Sequence, residues 1–477
     1  MRAFVNILLV TCCLPFFALA QDDVWSLQRA VQYALENNIS IKQNVLNERL
    51  AKLALQQSQL AQLPNVNASA SYGRSFGRSV DPTTNQFVEG NSYDFASMSG
   101  SADVLLFGWF QKRNRISQNR YSHQAAQADV EQLMNDVSLN VATGYLRSLL
   151  AQEQIRITRK QVELSAAQLN QTQKFADAGR LPELNVAQLQ AQLAGDSANL
   201  ITAIADYNAA ILDIKALLNL RFDVPFTPQV PDVKIDEQML VSQLTPEDIY
   251  AKATTHLGSV RSSQLKLFAA EKGFSVAKGA LWPQIGVGAQ FGTNWASTFK
   301  EISGFTITGA QPTGSYVVGD SVMPVYQPIV KYNTQTIPLG KQLDNNFRQT
   351  VSLNLNIPIF NGWQAQYSVK QAKFNVFSQQ LNKASVELKL MQDVYKAHND
   401  AGASIQKYYA ALRAAEAAQR AFDYAQRRYD LGLTNTVEYL TTQNTLYTAD
   451  SRLASAKYDL IFKLKVIDYY LGKELKL

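Results

Sequence analysis

The chain has 477 residues, 46% of them hydrophobic, and a mean hydropathy of −0.16, so it is long enough for two or three domains and is not a helical membrane protein. Its 45 basic and 39 acidic residues leave a net charge of +6, dispersed with no run of five like charges, and the basic stripe interleaved with aromatics that nucleic-acid binding asks for is missing. Both cysteines, Cys12 and Cys13, lie near the start, so the remainder holds no disulfide, thiolate metal site or thiol nucleophile.

In chain order, Arg2 and the apolar run from Phe4 to Ala20, ending Ala18-Leu19-Ala20, read as a secretory signal peptide over residues 1–20. Thr11 before Cys12 argues against a lipid anchor, which wants a small residue there. A helix is expected from about Ser26 to Leu63. Val66, Ala68, Ala70 and Tyr72 then alternate with polar residues, the period-two pattern of a strand with one apolar face. A partner strand near Met98 to Leu106 has a weaker pattern. From Gln111 to Ala178 run 68 residues without proline. As one helix they would span roughly 100 Å, and Leu150, Ile157 and Leu164 mark a coiled-coil seam. Gly179 stops that helix as a left-handed cap, and the chain turns back into another. Phe222 to Gln243, with Pro225, Pro228 and Pro231, reads as a linker.

The same order then recurs. Thr245-Pro246-Glu247-Asp248 opens a helix with a good N-cap, a first-position proline and first-turn acids, and Pro283 ends it near Trp282. Strands follow at Ile285, Val287, Ala289 and Phe291, and again at Val351, Leu353, Leu355, Ile357 and Ile359. Between them lies an insert, about 292–346, rich in Gly, Pro, Thr and Tyr. Inserts of that length are uncommon in compact domains. It could cover a mouth, meet surface glycans or be a tolerated loop. Gln364 to Leu431 is a second 68-residue helix, seamed by Leu381, Leu388 and Tyr395 and stopped at Gly432. Leu106-Phe107-Gly108-Trp109 recurs as Ile359-Phe360-Asn361-Gly362-Trp363, and Leu218-Asn219 as Leu471-Gly472, both at a spacing of 253. Leu63-Pro64-Asn65-Val66 recurs as Trp282-Pro283-Gln284-Ile285 at 219, so the second copy carries 34 extra residues. The chain divides into a first repeat over 21–221, a linker or equatorial segment over 222–243 and a second repeat over 244–477.

Two strands per repeat give four per chain, too few to close a barrel, and open sheet edges are not viable in hydrocarbon. Several copies must share one wall if the apolar faces meet lipid. Two copies would make a barrel filled by its own side chains and three one with a lumen; the count itself stays open. His123, His256 and His398 are far apart without metal-ligand spacing, and no Gly-rich phosphate loop follows a strand. An enzyme, a metal and a cofactor are not expected. The alternative reading is a structural coiled-coil surface or stalk protein without channel activity.

Three stretches carry a resemblance. Trp25-Ser26-Leu27-Gln28-Arg29-Ala30 with Ala34-Leu35-Glu36-Asn37-Asn38 resembles the opening helix of TolC-like outer-membrane factors. Leu353 to Gly362 resembles their strand-to-helix signature, and the stretch from Tyr429 resembles their periplasmic tip. The resemblance covers the chain beyond the signal peptide. It implies a mainly α protein with a β portion, assembled as a homotrimer. A 12-stranded β-barrel in the outer membrane would continue into a long periplasmic α-barrel with an equatorial belt. It implies a passive channel that docks to a periplasmic adaptor and an inner-membrane pump of RND or ABC type, with outer-membrane lipid around the barrel. It places adaptor-contacting tips at Gly179, Arg180 and Leu181 and at Gly432 and Leu433. It places the gate at Tyr429, Thr434, Glu438 and Thr441, with Asn185 at the matching place in the first tip. Drug-efflux members often carry two acids in the second tip. Here Glu438 keeps one and Thr441 replaces the other, Asn185 is neutral, and Thr434 stands where the family has an arginine.

Overall fold

The computed structural model describes residues 24–77, 79–80, 87–88, 92–231 and 244–473. The segment expected to be a signal peptide, with Cys12 and Cys13, and residues 232–243 of the expected linker lie outside the described residues. The first half of the chain runs β1 (Val24–Trp25), α1 (Leu27–Asn37), α2 (Ile39–Leu60), β2 (Asn65–Ser75), β3 (Ser79–Val80), β4 (Phe87–Val88), β5 (Tyr93–Phe107), α3 (Gln111–Asp177), α4 (Glu183–Leu218) and β6 (Thr227–Pro228). The second half runs α5 (Pro246–His256), α6 (Gly258–Gly279), β7 (Gln284–Ala296), β8 (Lys300–Val318), β9 (Val322–Thr336), α7 (Leu339–Asn345), β10 (Arg348–Asn356), α8 (Gln364–Asp430) and α9 (Thr436–Tyr470). The chain forms two compact units. One takes Met1–Ala51, Tyr121–Leu267 and Ser378–Leu477; the other takes Lys52–Arg120 and Phe268–Phe377.

The first unit is helical. Its helices start where sequence chemistry provides caps. Ser26 accepts from the Arg29 N–H at the head of α1, and Thr245 with Asp248 forms a full capping box at the head of α5. The expected opening helix is interrupted in both repeats. Asn38 and Leu257, again 219 apart, are extended residues that separate α1 from α2 and α5 from α6. Asn38 restarts the helix by accepting from the Ser40 and Ile41 N–H groups. The core gathers Trp25, Ala30, Val141, Tyr145, Ile214 and Phe226 in the first repeat. The second repeat answers with Ile249, Ala253, Val394, Ala401 and Ile467. β1 pairs parallel with β6, which brings Phe226 into the core and buries Pro228 while Thr227 stays exposed.

The second unit is a four-stranded antiparallel sheet in the order β10-β7-β5-β2, with β8 and β9 paired separately. Its register puts Val66, Ala102, Ala289 and Val351 on one face and Asn67, Ser101, Gln290 and Ser352 on the other. The polar face is laced by hydroxyls: Ser69 Oγ lies 2.8 Å from Ser99 Oγ, and Ser71 Oγ 2.7 Å from Ser97 Oγ. The apolar face stands open, with Val351 78% and Leu353 70% exposed. The insert over 292–346 is not an irregular loop. β7 runs through its beginning, β8 and β9 form a long ribbon, and α7 anchors the base, where buried Gln342 accepts from the Ala296 N–H and donates to the Ile337 carbonyl.

Strand passes to helix through two consecutive left-handed residues in each repeat. These are Trp109 and Phe110 at φ 48° and 60°, and Gly362 and Trp363 at 61° and 66°. For a bulky side chain that conformation costs about 1–2 kcal/mol. Ring packing of Trp109 on Trp282 at 4.6 Å and on Phe107 at 5.6 Å offsets it in the first repeat.

Candidate functional site

The helical tips belong to the first unit. α3 and α8 end in the same way. Gly179 at φ 70° and Gly432 at φ 72° turn the chain. The Arg180 N–H reaches back to the Phe175 carbonyl and the Leu433 N–H to the Arg428 carbonyl, each at 2.8 Å. Pro182 then leads into α4, and Asn435 opens α9 by accepting from the Glu438 N–H. The turns present Leu184, Leu431, Leu433 and Val437 to solvent, an apolar cluster unusual for so polar a helical unit. Arg180 lies over the Phe175 ring, and Leu181 is half-buried.

In the second tip the structure bonds two of the sequence-chosen gate residues, Thr434 and Glu438, to each other. Glu438 accepts from the Thr434 hydroxyl and from the Arg428 guanidinium at 3.2 Å. The same guanidinium donates to the Leu433 carbonyl, also at 3.2 Å. Arg428 thus stitches the turn closed and compensates the carboxylate within its own hairpin. Both charged groups are about half exposed, so this is a screened surface pair. Tyr429 is buried beneath them. Its hydroxyl lies 3.1 Å from Thr436 Oγ1 and 3.3 Å from Thr172 Oγ1, and its ring packs on Tyr439 at 4.9 Å. Burial pushes the Tyr439 hydroxyl far above the usual phenol range, so that ring stays neutral.

Thr441 and Asn185 stand apart from this cluster. Thr441 donates to the Val437 carbonyl and lines a groove of about 1070 Å³ between α8 and α9, with Lys407, Ala414, Asn444 and Arg452. Asn185, half-buried in the first tip, donates its N–H to the Pro182 carbonyl. Sequence reasoning missed the bonds that join the two tips. Gln171 donates to Asp430 at 3.2 Å, alongside the contact of Thr172 with Tyr429. It also missed a buried seam nearby, where Ser165 donates to Asp196 at 2.5 Å and accepts from Gln443 at 3.1 Å. A polar residue at a buried heptad position was the available signal.

Each histidine has a local partner. His123 Nε2 lies 2.5 Å from Glu48, His256 Nδ1 2.7 Å from the Lys252 carbonyl and His398 Nε2 3.1 Å from the Leu244 carbonyl. Among the described residues no helix is long and apolar enough to cross a membrane, a statement that does not touch strands.

A family model described as "Outer membrane efflux protein" matches residues 30–220 and 250–472, the two repeats. Outer membrane protein TolC of Escherichia coli (strain K12) is 22% identical over 99% of this chain and 87% of its own length. Alkaline protease secretion protein AprF of Pseudomonas aeruginosa is 21% identical over 96% and 87%. The crystal structure of the outer membrane protein VceC from Vibrio cholerae superposes with a TM-score of 0.74 at 14% identity, covering 94% of this chain and 96% of that one.

Proposed function

The chain belongs to the outer membrane efflux protein family, and from that membership we propose a homotrimeric exit duct with one shared β-barrel, gated at the helical tips. The duct serves a tripartite efflux system, and its tips dock a periplasmic adaptor that links it to an inner-membrane pump. The reading of copies around a shared barrel is carried by the four-stranded sheet. One face is rich in serine and asparagine, the other is apolar and open, and among the described residues edge strands β2 and β10 have one hydrogen-bonded neighbour each. A polar face suits a water-filled lumen and an apolar face suits lipid. The edges demand neighbours, because an unsatisfied backbone group in hydrocarbon costs several kcal/mol. A stalk or filament has no use for such a sheet.

The gate proposed here is the second tip. Three copies bring three Glu438 carboxylates toward one another, each held by its own Arg428. Like charges brought close repel and attract cations, and Arg428 suppresses both while the tip is stitched. Single-channel recording in planar bilayers tests duct and gate together. The wild-type chain is expected to give discrete conductance steps. Arg428→Ala is expected to increase cation preference and block by multivalent cations, and Glu438→Ala to abolish both. Absence of steps overturns the duct. Steps that are unchanged in both variants overturn the gate and leave the duct standing.

A further inference from the structure

The polar face of the four-stranded sheet is almost free of charge. Among the described residues it carries two charged side chains, Asp103 on β5 and Arg348 on β10. The sheet's other two charges, Arg74 and Asp94, lie on the apolar face and pair with each other at 2.6 Å. Asp103 and Arg348 are both exposed, and neither has an ion-pair or hydrogen-bond partner for its side chain among the described residues. Each stands opposite a glycine of β7, Asp103 in register with Gly288 and Arg348 with Gly292. A Cβ at Gly288 would lie 2.9 Å from Asp103 Oδ1, so the carboxylate fills the space that a side chain there would take. In lipid or in a packed core an unpaired charge is costly; facing water it is not.

Closing a barrel leaves both charges unpaired. β10 is an edge strand, and the edge it would meet on a neighbouring copy is β2. The polar face of β2 offers asparagine, serine and glycine, so no register of that seam sets an acid beside Arg348. Chain order separates the two in height. Asp103 lies close to the end of β5 that leads into α3, and Arg348 is the first residue of β10, at the opposite end of the sheet. From Gly288 to Gly292 the strand advances roughly 13 Å. Arg348 also borders a hollow of about 490 Å³, lined by Ser69, Ser99, Ser101, Gln290 and Thr350 as well. We propose that Arg348 and Asp103 set the charge preference of the barrel lumen. Three copies of Arg348 form a ring near the extracellular mouth that draws anionic groups of passing solutes, and three of Asp103 form a ring nearer the helices that draws cationic groups. This rests on the shared-barrel reading above. Three copies of four strands, about 4.8 Å apart and tilted by about 40°, enclose a wall roughly 24 Å across between backbones. Screening at physiological salt sets in over about 8 Å, so charges projecting from that wall act on much of the lumen.

The chain beyond residue 20 has no cysteine, so a single introduced thiol reads the local potential at each ring, whatever the state of the tips. Thr350→Cys, two residues from Arg348 on the same face, and Asn65→Cys, opposite Asp103, are made in the full chain. In outer membranes each is reacted with anionic sulfonatoethyl methanethiosulfonate and with its cationic trimethylammonioethyl counterpart, the wild-type chain serving as the blank. Both thiols are expected to react. At Thr350→Cys, adding Arg348→Ser should lower the anionic-to-cationic rate ratio about threefold, and more at low salt, while Arg348→Lys should keep it. At Asn65→Cys, adding Asp103→Asn should raise the ratio by a similar factor, and Asp103→Glu should leave it. Ratios that do not move when the charge is removed, or that Arg348→Lys lowers as much as Arg348→Ser, overturn the rings while the duct stands. Thiols that neither reagent reaches mean that this face does not line water, which overturns the shared barrel and the rings with it.

Discussion

Tyr145 and His398 stand 253 residues apart, at the same place in the two repeats, and do the same work with different chemistry. The Tyr145 hydroxyl lies 2.8 Å from both the Trp25 and the Gln229 carbonyls, while His398 Nε2–H meets the carbonyl of Leu244, the residue that corresponds to Trp25. Each ties the entry of its repeat to its long helix. Tyr145→Phe leaves buried carbonyls short of a donor and is expected to lower stability by about 1–3 kcal/mol. Burial pushes the Tyr145 hydroxyl up to about 12. The unfolded chain ionises it near 10, so its contribution is fully present below that pH and declines as pH rises toward 12. Thermal melts at neutral and alkaline pH check both statements: the variant should start lower and lose less on alkalinisation. An unchanged neutral melting temperature would sink the first. The partner of His398, 154 residues away in sequence, was not legible from the sequence. Arg428 escaped notice for a related reason. Its carboxylate lies ten residues on, across a turn, where no helical period points.

At the scale of elements, legibility followed the regularity of the period. The long helices, their glycine stops and strands β2 and β7 could be read because the periods 3.6 and 2 hold across them, and β10 could be read in part, since its alternation runs on to Ile357 and Ile359 while the strand ends at Asn356 before Pro358. The ribbon could not. Its pairing shifts at Ile302/Gly304, Ile307/Gly309 and Pro312/Tyr316, and each shift breaks the period-two alternation along β8. The helix breaks at Asn38 and Leu257 were hidden because neither residue is a proline or glycine. The sheet's two faces make a prediction that an ordinary soluble sheet does not. Leu353→Arg on the apolar face is expected to cost about 2–4 kcal/mol if that position lies at mid-membrane. Ser69→Arg, on the hydroxyl-laced face, is expected to leave assembly intact and change ion selectivity. Heat-modifiable oligomers on gels of outer-membrane fractions distinguish the two. Equal yields of oligomer would mean that the faces do not see different solvents.

For the whole molecule, duplication has produced two hairpins with the same backbone and unequal chemistry. The first tip turns on Gly179 and continues through Leu181 and the neutral Asn185; the second turns on Gly432 and is stitched by Arg428 and Glu438. Identical hairpins would have no reason to move differently. Nearest the turns the unequal pair is joined by Gln171 with Asp430 and Thr172 with the Tyr429 hydroxyl, and farther along by Gln443 with Ser165 and Gln192 with Asn444. The exposed Gln171–Asp430 bond exchanges with water at a net cost of about 0.5–1.5 kcal/mol, whereas the Thr172–Tyr429 contact is buried and costs more to leave unmade, so under the gate proposed above it is the stronger hold between the turns. Opening by movement of the second hairpin away from the first must break both. Gln171→Cys combined with Asp430→Cys, oxidised or bridged by a short bismaleimide, is expected to hold the channel in its low-conductance state. Reduction of the disulfide should restore the wild-type steps, and Thr172→Val with Tyr429→Phe should raise the frequency of large openings. If the bridged and unbridged proteins conduct alike, the two hairpins of one copy move as a single body, and the opening must be sought between copies.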